Sequence, residues 1–144
     1  MPQLWLAVFL LLLLPMPSAT AETTDDSVAL IAHPNVRAVS LHPNSARAIF
    51  AMRQRTWPDG QAANVFVLPD DDPLHARFSK ELLNVFPHQL KMAWDRAVFS
   101  GTGQAPGRVS TQSEMLERVA TTPGAIGYVE KGGTDARVRI IELQ

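Results

Sequence analysis

Apolar residues in this chain fall into short unbroken runs, separated by stretches where they recur every third or fourth position. Val28-Ala29-Leu30-Ile31-Ala32 is continuously apolar, the pattern of a strand covered on both faces. Val65-Phe66-Val67-Leu68 is a second such run. Between them, Ala46, Ile49, Phe50 and Met52 predict a short helix from about Asn44, where Asn or Ser can cap. Pro58-Asp59-Gly60 then turns the chain: Pro fixes φ, Asp bonds its neighbours and Gly accepts positive φ. Asp72-Pro73 reads as an acidic cap with proline at the first helical position. Leu74, Phe78, Leu82, Leu83 and Phe86 follow at helical spacing as one core face. Pro87 breaks that helix or opens another, in which Leu90, Ala93, Trp94, Ala97 and Val98 repeat the pattern. A glycine-rich loop over residues 100–107 ends it.

Thr111-Gln112-Ser113-Glu114 has capping-box spacing, and Met115, Leu116, Val119 and Ala120 form the stripe of a last helix. Residues 125–129 predict a strand whose Gly127 requires something to approach closely, so it reads as a packed strand beside a crevice. Residues 137–142 alternate charged and apolar, which predicts a half-exposed strand at an edge. Trp57, Trp94 and Phe99 are assigned to the core. Strand and helix alternate throughout, predicting an α/β sandwich of three layers around a mostly parallel sheet.

The first 21 residues stand apart. Leu4 to Leu14 is nearly all apolar, and Ala19-Thr20-Ala21 after it is a small-x-small cleavage site, so the segment reads as an export leader cut after Ala21. The apolar run is shorter than the roughly 20 residues that span a bilayer. No Lys or Arg precedes it, which keeps an uncleaved N-terminal anchor open as the alternative. Cleavage leaves one domain over residues 22–144 and a periplasmic location.

All 13 Lys+Arg and 14 Asp+Glu lie in that domain. Near-neutrality argues against nucleic acid, whose binding needs a basic face. With no cysteine, disulfides, thiolate nucleophiles and cysteine-ligated metals are excluded. His33, His42, His75 and His88 are isolated in sequence, and no hydrolase or metalloprotease motif appears. No catalytic residue, resident metal or cofactor is therefore assigned.

Ile49-Phe50, Trp57-Pro58-Asp59-Gly60, Phe99-Ser100-Gly101-Thr102-Gly103 and Thr121-Thr122-Pro123-Gly124-Ala125-Ile126-Gly127-Tyr128-Val129 occur in this order. Together they resemble the phosphate-binding components of ABC transporters, members of the type II periplasmic binding proteins, over residues 28–142. The resemblance implies a single lobe of a two-lobed clamshell, matching the family's second, inserted lobe. It also implies where phosphate would sit: an arginine ending the second strand, then Asp-Gly-Ser-Gly-Thr at a helix start.

Here the chain departs from the family. Leu68 stands where the arginine belongs. Asp70 matches the family's Asp, but Asp71, Asp72, Pro73 and Leu74 replace Gly, Ser, Gly and Thr. Pro73 lacks an N–H, Leu74 lacks a hydroxyl, and three carboxylates crowd a helix end that should attract an anion. Unit charges about 4 Å apart repel by roughly 4 kcal/mol at an effective dielectric of 20. The loop therefore reads as degraded for phosphate.

Asp70-Asp71-Asp72 with His75 suits a hard cation, or simply an acidic helix start favoured by the macrodipole. Ser100-Gly101-Thr102-Gly103-Gln104 offers two hydroxyls, an amide and open backbone to a small polar or anionic ligand, or serves as a plain connector. Arg53 and Arg55 supply positive charge to an anion or a partner, or are ordinary surface residues. The candidate ligand residues are thus Ser100, Gly101, Thr102, Gly103, Asp70 and Arg53. Two functions remain open: an exported solute-binding-like protein taking a small anion, and a ligand-free module docking on an envelope transporter or sensor. A lone lobe has no opposing wall, so a partner or a homodimer would be needed to enclose a ligand.

Overall fold

The computed structural model describes residues 15–18 and 27–144. The leader expected over residues 1–21, with its cut, lies outside the described residues except for 15–18. Among the described residues no helix is long and apolar enough to cross a membrane.

Among the described residues there are six strands and four α-helices, in the order β1 (Val28–Ala32), β2 (Ser40–Leu41), α1 (Pro43–Phe50), β3 (Asn64–Val67), α2 (Pro73–Arg77), α3 (Pro87–Phe99), β4 (Gly107–Arg108), α4 (Gln112–Thr121), β5 (Ala125–Glu130) and β6 (Arg139–Leu143). A π-helical turn, Phe78–Leu82, continues α2. The strands form one sheet in the order β2-β6-β1-β5-β3-β4. β1 runs antiparallel to both its neighbours, β5 and β6. The remaining pairs, β2 with β6, β3 with β5 and β3 with β4, are parallel. Five strands therefore point one way and β1 alone opposes them. The sequence-predicted α/β sandwich with a mostly parallel sheet is the architecture observed.

Strand β5 separates the two outer layers. Met115 and Val119 of α4 pack over Gly127, where an added Cβ would lie 2.5 Å from the Met115 sulfur and 3.1 Å from Val119 Cγ2. Tyr128 points to the opposite face, where its ring stacks on Phe78 at 3.7 Å and tilts against Phe50 at 6.2 Å. Gly127 thus admits a packed helix rather than bordering a crevice, which corrects the sequence expectation.

The Trp57 and Pro123-Gly124 motifs meet. Trp57 is 1% exposed, and its Nε1 donates to Gly124 O at 2.9 Å. Gly124 has φ +73°, and a Cβ there would strike Ala62 O at 2.2 Å. One turn thus locks the entry to β5 against the loop before β3.

Several local expectations are corrected. The cap of α1 is His42, whose Nδ1 accepts from Asn44 N at 3.1 Å, because Pro43 already occupies the first turn. Strand β6 is interior, since two-residue β2 pairs along its outer side; β2 and β4 are the edges, both too short to recruit another strand readily. Phe86, Val98 and Phe99 are exposed by 56%, 51% and 89% rather than core. Phe86 precedes α3 on extended backbone. In α3 the buried stripe is Leu90 and Trp94; at about 100° per residue, Phe99 lies roughly half a turn away from Leu90 and faces solvent.

Candidate functional site

In open α/β sheets ligands gather outside the carboxyl ends of the parallel strands. At that edge β3 runs into Leu68-Pro69-Asp70-Asp71-Asp72 and α2, while β4 ends at Arg108. Asp72 caps α2: its Oδ1 accepts from Leu74 N at 2.8 Å, and Pro73 follows at the first helical position. The Asp70 carboxylate pairs with Arg108, both guanidinium contacts measuring 3.3 Å. The Leu74 N–H and the Arg108 cation that an incoming oxyanion would seek are already engaged.

Beneath this loop lies a buried polar pair. His75 is fully buried and its Nδ1 hydrogen-bonds the Tyr128 hydroxyl. That hydroxyl also accepts from Leu68 N at 2.9 Å; with its own proton given to His75 Nδ1, the single N–H of the neutral imidazole sits on Nε2. Nε2 has no partner among the described residues. Burial lowers the His75 pKa from its ordinary value; the Asp70 charge opposes this, Arg108 assists it and Asp72 opposes it. Burial likewise raises the Tyr128 pKa, against the pull of the Leu68 N–H bond. At neutral pH this is a neutral donor–acceptor pair that stiffens the junction of β3, α2 and β5.

The cation reading of Asp70-Asp71-Asp72 with His75 needs these groups to converge. They do not: Asp72 faces a helix N–H, Asp70 faces Arg108 and His75 turns inward to Tyr128. No cluster of three or more His, Cys, Asp or Glu suited to a metal occurs among the described residues.

The other candidates gather at the opposite edge of the sheet. The loop after α1 leads into the amino end of β3, and the loop after α3 leads into the amino end of β4. Arg53, Ser100 and Thr102 line one open basin there of about 460 Å³, together with Arg55 and Arg96. Gly101 and Gly103 contribute backbone to the same loop: Gly101 N donates to Val98 O at 3.2 Å and Gly103 N to Ala97 O at 3.1 Å. Asp70, across the sheet, does not belong to this group. Arg96 escaped the sequence reading, although its position four residues before Ser100 places it one helical turn below the loop. The His75–Tyr128 pair left no sequence signal at all, its members being far apart in the chain.

No protein-family model and no curated protein matches the sequence. Solved structures do match the fold. An ABC-type phosphate transport receptor from Vibrio cholerae superposes with a TM-score of 0.64 at 16% identity, covering 82% of this chain and 46% of its own. PstS from Borrelia burgdorferi gives 0.64 at 17% identity, covering 83% and 47%. A protein assigned as a phosphate ABC transporter substrate-binding protein from Clostridium perfringens, solved with phosphate bound, gives 0.66 at 17%, covering 82% and 45%. The chain has the fold of these phosphate-binding proteins and spans less than half their length.

Proposed function

We propose that this chain is an exported, solute-binding-like protein built on the phosphate-binding fold, with the family's phosphate loop closed by the chain's own charges. One observation carries the second clause: the Asp72 carboxylate already accepts the Leu74 N–H at the start of α2. Asp70 and Arg108 neutralise each other beside it. A phosphate arriving there would displace a carboxylate from its N–H and enter the field of Asp71, next to an Arg108 cation already matched by Asp70. The likeness to proteins named as phosphate transport receptors supports a small anion as ligand class, bound away from this loop. It equally supports an envelope transporter as partner.

The test is an amide-resolved NMR titration of the chain with inorganic phosphate to millimolar concentration. The amides of residues 70–76 are expected to hold their positions. Saturable movement of these amides would show the loop to be a working phosphate site and would overturn the reading.

A further inference from the structure

The basin at the amino ends of β3 and β4 collects positive charge that the fold pairs with no carboxylate. Arg53, Arg55 and Arg96 all line it, and no Asp or Glu does. Among the described residues, the guanidinium groups of Arg53 and Arg96 have neither an ion-pair nor a hydrogen-bond partner. Arg55 spends one N–H on Thr102 O at 2.6 Å. The other described arginines mostly have evident occupations: Arg77 pairs with Glu81 and Glu130, Arg108 with Asp70, and Arg137 with Asp135 and Glu117.

A structural task for these arginines would be to cap helix ends, because α1 and α3 both finish at the basin. The chain already caps them. Arg47 O, Ala48 O and Ile49 O accept from Ala51 N, Arg53 N and Met52 N, and Phe50 O accepts from Trp94 Nε1 at 2.7 Å. Arg96 O, Ala97 O and Val98 O accept from Ser100 N, Thr102 N and Gly101 N. The two helix ends carry about half a negative charge each. Three guanidinium groups exceed them by roughly two positive charges.

We infer that this basin is a binding site for a small organic oxyanion, a phosphate, sulfate or carboxylate group carried on a short carbon body. This rests on the solute-binding reading above and places the ligand at the edge of the sheet opposite the closed loop. Arg53 and Arg96 present planar forks that each bind two oxygens of such a group, and Arg55 adds its charge from one side. Ser100 Oγ donates to Arg96 O at 2.7 Å and lies 2.8 Å from Thr102 Oγ1. With the Ser100 proton on Arg96 O, Thr102 Oγ1 is the donor to Ser100 Oγ, and an arriving anion competes with Ser100 for that proton. Met52, Ala93 and Ala97 supply aliphatic wall. A volume of about 460 Å³ lies in the range that holds an organic ligand, which is the reason for the carbon body.

The test is calorimetric titration of the full chain at constant ionic strength with glycerol 3-phosphate and with inorganic phosphate. Saturable binding is expected for both, severalfold tighter for glycerol 3-phosphate. The double variant Arg53→Gln with Arg96→Gln should weaken glycerol 3-phosphate at least tenfold, and Lys91→Gln with Arg137→Gln, which removes equal charge elsewhere, less than twofold. Both basin arginines are exposed, so the double variant should keep the wild-type melting temperature, which is measured alongside. Binding that survives the double substitution overturns the basin while leaving the solute-binding reading standing. Absence of saturable binding by either probe overturns both. Vesicles of phosphatidylglycerol form a third arm: sedimentation with them, without binding of either soluble probe, would also overturn the inference by assigning the charge to a membrane surface.

Discussion

Replacing Tyr128 by phenylalanine removes a single oxygen and leaves the ring stacked on Phe78 at 3.7 Å, so packing is held nearly constant. The oxygen serves two buried partners, Leu68 N at 2.9 Å and His75 Nδ1. Its loss strands the Leu68 N–H, which costs about 1–3 kcal/mol when no water replaces the partner. The His75 bond adds about 1 kcal/mol more. Tyr128→Phe should therefore destabilise the domain by roughly 2–4 kcal/mol, read as a lower urea midpoint at unchanged slope. Adding His75→Phe in a double-mutant cycle should show positive coupling, because the hydroxyl has less to lose once its acceptor is gone. A loss below about 0.5 kcal/mol, within the range of ordinary surface substitutions, would refute the bridging role of the hydroxyl.

His75 predicts a pH dependence. Its folded pKa lies below its ordinary value, so the unfolded chain takes up the proton first. Stability should fall as pH drops through about 6.5, by at most about 1.4 kcal/mol per unit from this one group. Urea midpoints between pH 7.5 and 5 check it, and His75→Gln should flatten the slope. Gly127→Ala drives a methyl into Met115 and Val119 and should cost about 1–3 kcal/mol; Met115→Ala in the same chain should recover part of that, whereas strict additivity would count against the clash. Asp72→Ala removes the cap of α2 and should cost about 0.5–2 kcal/mol by urea unfolding. Asp70→Asn breaks a half-exposed ion pair with Arg108, so its cost should stay under about 1 kcal/mol.

Local pattern carried most of the fold. Val28–Ala32 is buried along its whole length because a central strand has two covered faces, and that shows as an unbroken apolar run. The Asp72-Pro73 start of α2 and the Thr111 cap of α4, whose Oγ1 accepts from Glu114 N at 3.1 Å, were legible because capping acts within four residues. Strand order was not: β6 looks like an edge from its alternation, and only its pairing with β2 makes it interior. The exposure of Phe99 required knowing where α3 is anchored, a tertiary fact. At the candidate basin, Ser100, Thr102 and Arg53 stood out as residue types. Arg96 and the separation of Asp70 from them depend on which end of each strand a loop joins, and composition cannot carry that information.

The lone opposing strand imposes an order on assembly. β1 lies in the middle of the sheet, yet both of its neighbours come from the last part of the chain, with Leu30 facing Tyr128 on one side and Ile141 on the other. Its partners are thus roughly a hundred residues away, and loop closure over that span slows folding. This strand, made early, must wait for β5 and β6 before both its flanks are covered. A product truncated before Ala125 would leave this strand with neither companion, a bare ribbon inviting proteolysis or clumping.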